Sequence, residues 1–168
     1  MISLLIVNYR SAPLAIEAIR TARSSTSQRL HVVVVDNSCD PREAEGLRPH
    51  ADVLLISETN RGYAGAIHDG RRSCEGEVLI AANPDVIFFP EAIDRLVDAL
   101  RPPHRAVAGP ALFWDSARQW ILPPADARTV REKLSEGLAS RSRRWQVRRD
   151  RRRIAARLAF WSLTAVTP

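Results

Sequence analysis

The sequence predicts an α/β protein, a mostly parallel sheet flanked by helices. Three observations predict it. Short apolar runs alternate with stretches of helical periodicity up to about residue 100. The connections are short, which calls for crossover helices packed on a parallel sheet. Each run is followed by a polar cluster: Asn8-Tyr9, Asp36-Asn37, Asn60-Arg61-Gly62 and Asn83-Pro84-Asp85. Right-handed crossovers carry such strand ends to one edge of a sheet, so the four clusters are expected to converge.

Each element has its own reason. Ile2 to Val7 is apolar except for Ser3 and reads as a buried strand. Pro13 suits a first helical turn, and Leu14, Ile16, Ala18, Ile19 and Ala22 supply an apolar face to about Arg23. His31 to Val35, with four consecutive valines, reads as a second buried strand. Pro41 to Leu47 is a short helix and Val53 to Ile56 a third strand. Tyr63 to Cys74 reads as a helix opening on the small residues Ala64, Gly65 and Ala66, with Glu75-Gly76 as its end. Val78 to Ala82 is apolar throughout and is expected to be a central strand buried on both faces. Asn83-Pro84 then stops the pairing, because proline has no N–H for a ladder. Asp85 is thereby expected just beyond the carboxyl end of a central strand, where open α/β sheets bind ligands. Pro90 opens a helix to Leu100 with Ile93, Leu96, Val97 and Leu100 on one face, and Pro102-Pro103 ends it. Pro123-Pro124 marks a break in character, giving a domain over 1–124 and a tail over 125–168.

Composition narrows the function classes. At 168 residues and 45% apolar content, the chain suits one globular domain or slightly more. No apolar run reaches the length of about 18 needed to span a bilayer. Met1-Ile2-Ser3-Leu4 lacks the basic start of a signal peptide. Cys39 and Cys74 show no metal or redox spacing and read as two buried thiols of a cytosolic protein. The net charge of +6 is unevenly spread. Residues 1–127 carry 13 Arg against 16 acids, whereas residues 128–168 carry 11 Arg and Lys133 against three. The basic excess belongs to the tail, so nucleic acid is not the partner expected for the domain.

The strand-end clusters indicate the chemistry. There is no G-x-G-x-x-G after the first strand and no G-x-x-x-x-G-K-[ST], so neither a dinucleotide site nor a P-loop is indicated. Asp36, at the end of the second strand, can accept from a nucleobase imide or a ribose hydroxyl. Asp85 suits a hard divalent cation, which prefers oxygen ligands and commonly bridges to phosphates. The small residues opening the third helix let a ligand lie close to backbone. Together these fit a nucleoside diphosphate whose phosphates are held through a metal.

Ile6-Val7-Asn8-Tyr9, Val33 to Ser38, Asn60-Arg61-Gly62-Tyr63-Ala64-Gly65-Ala66 and Asn83-Pro84-Asp85-Val86 resemble the family-2 glycosyltransferases of GT-A (Rossmann-like) fold, most of all their rhamnosyltransferase-like branch. The resemblance covers about residues 1–115. It implies inverting transfer of a sugar, rhamnose in that branch, from a nucleoside diphosphate donor. By that resemblance Asn83-Pro84-Asp85 stands where the family has D-x-D, with Asn83 in place of the first Asp, and Asp85 would meet Mg2+ or Mn2+. Asp36 would recognise a pyrimidine base, which makes dTDP- or UDP-sugars the expected donors. Asn8 and Tyr9 would lie against the nucleoside, and Asn60, Arg61, Gly62 and Asn83 would line the donor pocket. Ala106 to Pro110 resembles the family's next strand, with Leu112-Phe113-Trp114 continuing extended.

The tail departs from the pattern. Inverting transferases need a general base for the acceptor hydroxyl, and the family's downstream Glu-Asp type motif has no counterpart here. The base is therefore expected outside this chain, with 125–168 as the start of an acceptor half; within the chain, Asp115, Glu132 and Glu136 are the acids to test. Val130, Leu134, Leu138 and Trp145 form one helical stripe, and Ile154, Leu158 and Trp161 another. Arg141 to Arg157 holds nine Arg and one Asp. Such a face is either a solvated helix hairpin or a contact with anionic lipid near a lipid-linked or glycan acceptor, at the cytoplasmic face of a membrane. Two other readings are a nucleotide-binding module without catalysis and a nucleic-acid binder using the tail.

Overall fold

The structure, a computed structural model, describes residues 1–102 and 106–122. The break at Pro123-Pro124, the tail stripes, the Arg-rich stretch, Glu132 and Glu136 lie outside the described residues. The chain divides into two compact units, Met1–Ala108 and Gly109–Pro168.

The first unit alternates strand and helix as expected: β1 (Ile2–Asn8), α1 (Ala12–Ser24), β2 (Leu30–Asp36), α2 (Pro41–Leu47), β3 (Val53–Ile56), α3 (Gly62–Gly70), a 3-10 turn (Arg71–Ser73), β4 (Val78–Ala82) and α4 (Ala92–Leu100). The strands form one parallel sheet in the order β3-β2-β1-β4. No described helix is long and apolar enough to cross a membrane.

Burial follows from that order. All seven residues of β1 are buried, and so are Val32 to Asp36 of β2. Ile2, Leu4, Ile6, Val32 and Val34 face one side, packed with Ala15, Ala18 and Ile19 of α1, Leu47 of α2 and Ile93 of α4. Leu5, Val7, Val33 and Val35 face the other side under Ala66 of α3. Strands covered on both faces cannot alternate in polarity, which is why both read as continuous apolar runs.

β4 corrects an expectation. Among the described residues it pairs with β1 alone, and it is not buried on both faces. Its burial alternates. Val78, Ile80 and Ala82 pack toward α1 and α4. Leu79 is 44% exposed, because α3 lies over β1 and β2 and leaves this face of β4 open. The two thiols also differ from expectation, since Cys39 is exposed and Cys74 half-buried. There are three smaller differences. The helix expected over 63–74 stops at Gly70 and tightens into the 3-10 turn. The helix expected from Pro90 begins at Ala92, after a left-handed turn at Glu91 (φ 62°). Residues 106–110 pair with no described strand, and Val107 is 88% exposed.

Two glycines are required by close approach. A Cβ at Gly76 would lie 2.4 Å from the backbone nitrogen of Ser3 and 2.8 Å from the carbonyl carbon of Ile2. A Cβ at Gly70 would lie 2.5 Å from Leu5 Cδ1 and 2.7 Å from Val35 Cγ2. Overpacking costs about 1–3 kcal/mol, more than the roughly 0.4–1 kcal/mol that Gly→Ala gains through the unfolded chain. Gly76→Ala is expected to lose more stability than Gly70→Ala, because β1 backbone cannot move aside as side-chain methyls can. Urea denaturation of the two variants checks this, and the reverse order would contradict it.

In the second unit the described residues form a hairpin. Phe113 and Ile121 bridge antiparallel, Trp114 N–H donates to Trp120 O (2.9 Å) and Leu122 N–H to Leu112 O (2.6 Å). Asp115 closes its loop: Oδ1 accepts from Gln119 N (3.1 Å) and Trp120 N (2.9 Å). The amides of Gln119 and then Trp120 hold the Asp115 carboxyl below its usual range. A lowered pKa means the support is complete above the unfolded value, near 3.9, and is lost as pH falls through the folded one. Tryptophan fluorescence is expected to change over that acidic range in the wild type and to lose the transition in Asp115→Ala. Identical profiles would refute it.

Candidate functional site

The strand order creates the site's location. From β1 the chain steps outward to β2 and β3, then crosses back to β4 on the other side of β1. Strand order therefore reverses between β1 and β4. The carboxyl ends of parallel strands at such a reversal form the crevice where α/β sheets take ligands. Asn8 ends β1, Asp36 ends β2 beside it in register, and Asn83-Pro84-Asp85 follows β4.

Asp36 is fully buried, and its two oxygens are unlike. Oδ1 accepts from Asn8 Nδ2 (2.9 Å), Ser38 N (3.1 Å) and Ser38 Oγ (2.5 Å). Oδ2 is buried and has no hydrogen-bond partner among the described residues. A buried acceptor left open is costly and calls for an explanation. A ligand N–H or O–H arriving at the strand end would supply one.

Asn8, expected to lie against the nucleoside, differs from Asp36 in keeping no open polar atom. It is fully buried and both ends of its amide are engaged. Nδ2 donates to Asp36 Oδ1, to Glu43 Oε2 (2.9 Å) and more weakly to Ser38 Oγ (3.2 Å). Oδ1 accepts from Ser11 N (3.2 Å) and Ser11 Oγ (2.9 Å). Asn8 is thus the knot beneath Asp36. Tyr9, the next residue, is the exposed one at 51%, with the Arg10 guanidinium 5.5 Å from its ring centroid.

The turn before α3 is tied to the same edge. Asn60 Oδ1 accepts from Gly62 N (2.8 Å), and Gly62 sits at φ 70°, a conformation that glycine takes without strain. Asn37 Nδ2 donates to Gly62 O (3.1 Å), and Asn37 Oδ1 is a second buried acceptor without a partner. Arg61 is half committed: it pairs with Asp69 at 3.0 Å while its side chain stays 56% exposed. Asn8, Asp36 and the Asn60–Gly62 turn are therefore joined through hydrogen bonds.

Asn83 and Asp85 stand apart from that network. Both are exposed, and among the described residues no hydrogen bond or ion pair engages either side chain. The described residues hold no group of three or more metal-ligating side chains. A lone exposed carboxylate fits a cation of the Mg2+ type, which commonly uses one or two protein carboxylates and takes its other ligands from phosphates and water.

Ser11, Asn37, Ser38 and Glu43 escaped the sequence reading. Asn37 and Ser38 lie inside a quoted motif but carried no role. Glu43 was hidden by position: an acid three residues after Asp40 at a helix start looks like an ordinary cap.

Sheet, crossovers and site edge together are the GT-A arrangement of glycosyltransferases. Glycosyl transferase family 2 is matched over residues 3–159, and the chain belongs to that family. A mannosyltransferase from Pyrobaculum calidifontis, PcManGT, solved in complex with GDP-Man and Mn2+, is similar at 27% identity and TM-score 0.52, over 61% of this chain and 32% of that one. S. aureus TarS 1-349 is similar at 18% identity and TM-score 0.47, over 68% of this chain and 40% of that one. The chain thus spans about a third of the length of these structures. No curated protein matches it.

Proposed function

We propose that this domain binds the donor of a glycosyl transfer, a nucleoside diphosphate sugar, with Asp36 on the base and Asp85 on the diphosphate side. The observation that carries the reading is the buried, unpartnered Oδ2 of Asp36 at the strand-order reversal. It is one acceptor, and uracil and thymine offer one N3–H. Guanine presents N1–H and N2–H side by side, and the neighbouring Oδ1 already takes three donors. UDP- or dTDP-sugars, rhamnose donors among them, are therefore preferred. Asn37 Oδ1 offers a further acceptor for a ligand hydroxyl. Tyr9, Asn60, Arg61, Gly62 and Asn83 line the donor.

In an inverting transfer an acceptor hydroxyl attacks the anomeric carbon as the nucleoside diphosphate departs. Mg2+ or Mn2+, when bound, neutralises charge on the departing diphosphate. Asp85 would hold that ion, Asp36 would orient the nucleoside, and the rigid Asn60–Gly62 turn would shape the wall beside it. The acceptor is a glycan or lipid-linked saccharide, and its base and binding surface are assigned to no described residue. Peripheral membrane association through the Arg-rich tail fits a lipid-linked acceptor.

Calorimetry with UDP, dTDP and GDP, in Mn2+ or in chelator, tests the reading. Asp85→Ala is expected to abolish the metal-dependent part of the affinity while the fold persists, since the residue is exposed. Equal affinity with metal and with chelator in the wild type would overturn the metal assignment. GDP bound as tightly as UDP and dTDP would overturn the pyrimidine assignment.

A further inference from the structure

Glu43 belongs to no motif and sits in the first turn of α2, after the cap residue Asp40. An acid there ordinarily reaches back to its own helix cap. Glu43 instead reaches across to β1 and α1. Its Oε2 accepts from Asn8 Nδ2 (2.9 Å) and from Ala12 N (2.9 Å), the first amide of α1. The cap residue of α1, Ser11, makes no side-chain cap bond of its own, so Glu43 supplies that as well.

The geometry fixes what this does. An Asn amide has two hydrogens. The two closest acceptors of Asn8 Nδ2 are both carboxylates, Asp36 Oδ1 and Glu43 Oε2, each at 2.9 Å. Turning the Asn8 amide over would set its carbonyl against both of them and lose the two bonds from Ser11. Asn8 is therefore locked with its donor end toward Asp36. Asp36 is in turn locked with Oδ1 toward Asn8 and Ser38, which leaves Oδ2, itself buried, as the oxygen without a donor. The two oxygens of a carboxylate are chemically equivalent. Only this arrangement of donors makes one of them the ligand's.

We infer that Glu43 is a positioning residue for base recognition: acting through Asn8, it sets the orientation in which Asp36 presents Oδ2. The inference rests on the reading of Asp36 as the acceptor of the base N–H. Without Glu43 one Asn8 hydrogen loses its partner and the amide gains freedom to turn. Asp36 then keeps its two bonds from Ser38 but loses the fixed restraint from Asn8, and the match to a single ligand N–H blurs.

The test is a ratio. N3-methyl-UDP replaces the N3–H that would donate to Oδ2 by a methyl group, which cannot donate. Wild type is expected to prefer UDP by about tenfold or more, the equivalent of one buried hydrogen bond. Glu43→Ala is expected to bring the ratio to within about threefold. Glu43→Gln should restore it, since its amide oxygen can accept from both Asn8 and Ala12. If Glu43→Ala fails to fold, Glu43→Asp serves in its place, with the carboxylate drawn back by one methylene. A purely structural role would weaken both nucleotides alike and keep the ratio, and that result overturns the inference. A wild type that does not distinguish the two nucleotides overturns the base reading itself, and the inference with it.

Discussion

Asn8→Asp is expected to destabilise the protein by about 3–5 kcal/mol, the cost of leaving a buried charge uncompensated. The substitution keeps the side chain's shape and changes one donor into an acceptor. Asn8 is fully buried, and its Nδ2 lies 2.9 Å from carboxylate oxygens of both Asp36 and Glu43. In the variant three carboxyl groups would meet with no hydrogen between them. Native domains are stable by about 5–15 kcal/mol, so this one change removes much of the margin. Asn8→Leu, which removes the donor without adding charge, should be less damaging, near the 1–3 kcal/mol of a lost buried partner. Urea denaturation followed by circular dichroism measures both. Asn8→Asp within 1 kcal/mol of wild type would show that the amide is not the knot described.

Asp36→Asn is expected to invert base preference more than it reduces stability. The variant's carbonyl oxygen can keep the bonds from Asn8 and Ser38 that Oδ1 now accepts. Its amide nitrogen then stands where Oδ2 is open, and a donor faces the ligand. Against the N3–H of uracil two donors would meet. Against cytosine, whose N3 is an acceptor, a bond would form. UDP affinity should fall about tenfold or more, from a lost bond worth about 1–3 kcal/mol. CDP should gain relative to UDP by a similar factor. Competition between the two nucleotides reads the ratio directly, and an unchanged CDP-to-UDP ratio would remove Asp36 from the base site.

Much of the first unit was legible because its signals are local. Pro41–Leu47 and Val53–Ile56 fall at the expected residues, and Ile2–Asn8 and Leu30–Asp36 extend the expected strands by one or two. Four valines in a row leave few alternatives to a strand covered on both faces. The place of β4 was not legible. Val78 to Ala82 is as apolar as a strand buried on both faces, yet among the described residues it borders β1 alone and Leu79 is exposed, because strand order and helix cover are set by crossovers and not by the strand's own composition. The strand expected over 106–110 was carried by likeness of motif, without alternation or a pairing signal of its own. At the site, the residue types at strand ends were readable, but the division of labour was not. Asn8 and Tyr9 are adjacent, and only the packing shows that the first is beneath the site and the second at its surface. Glu43 touches Asn8 across a separation of 35 residues, which no local pattern announces.

The Asn8 knot also bears on how this protein folds and how its fold is held in the cell. Its bonds to Asp36, Ser38 and Glu43 span 28, 30 and 35 residues, so the set is complete only once β1, β2 and α2 have met. Closing loops of that length is entropically unfavourable before any contact compensates it. Oδ2 of Asp36 is consequently presented only by a chain whose first half is already assembled. A nucleotide that recognises it binds the native state and not the unfolded one, and mass action then stabilises the whole β1–α2 segment, by about 2.7 kcal/mol at a hundredfold excess over Kd. Donor supply would in that way set the lifetime of the folded protein as well as its occupancy, and amide exchange in β1 and β2 should slow together, as one cooperative unit, when nucleotide is added.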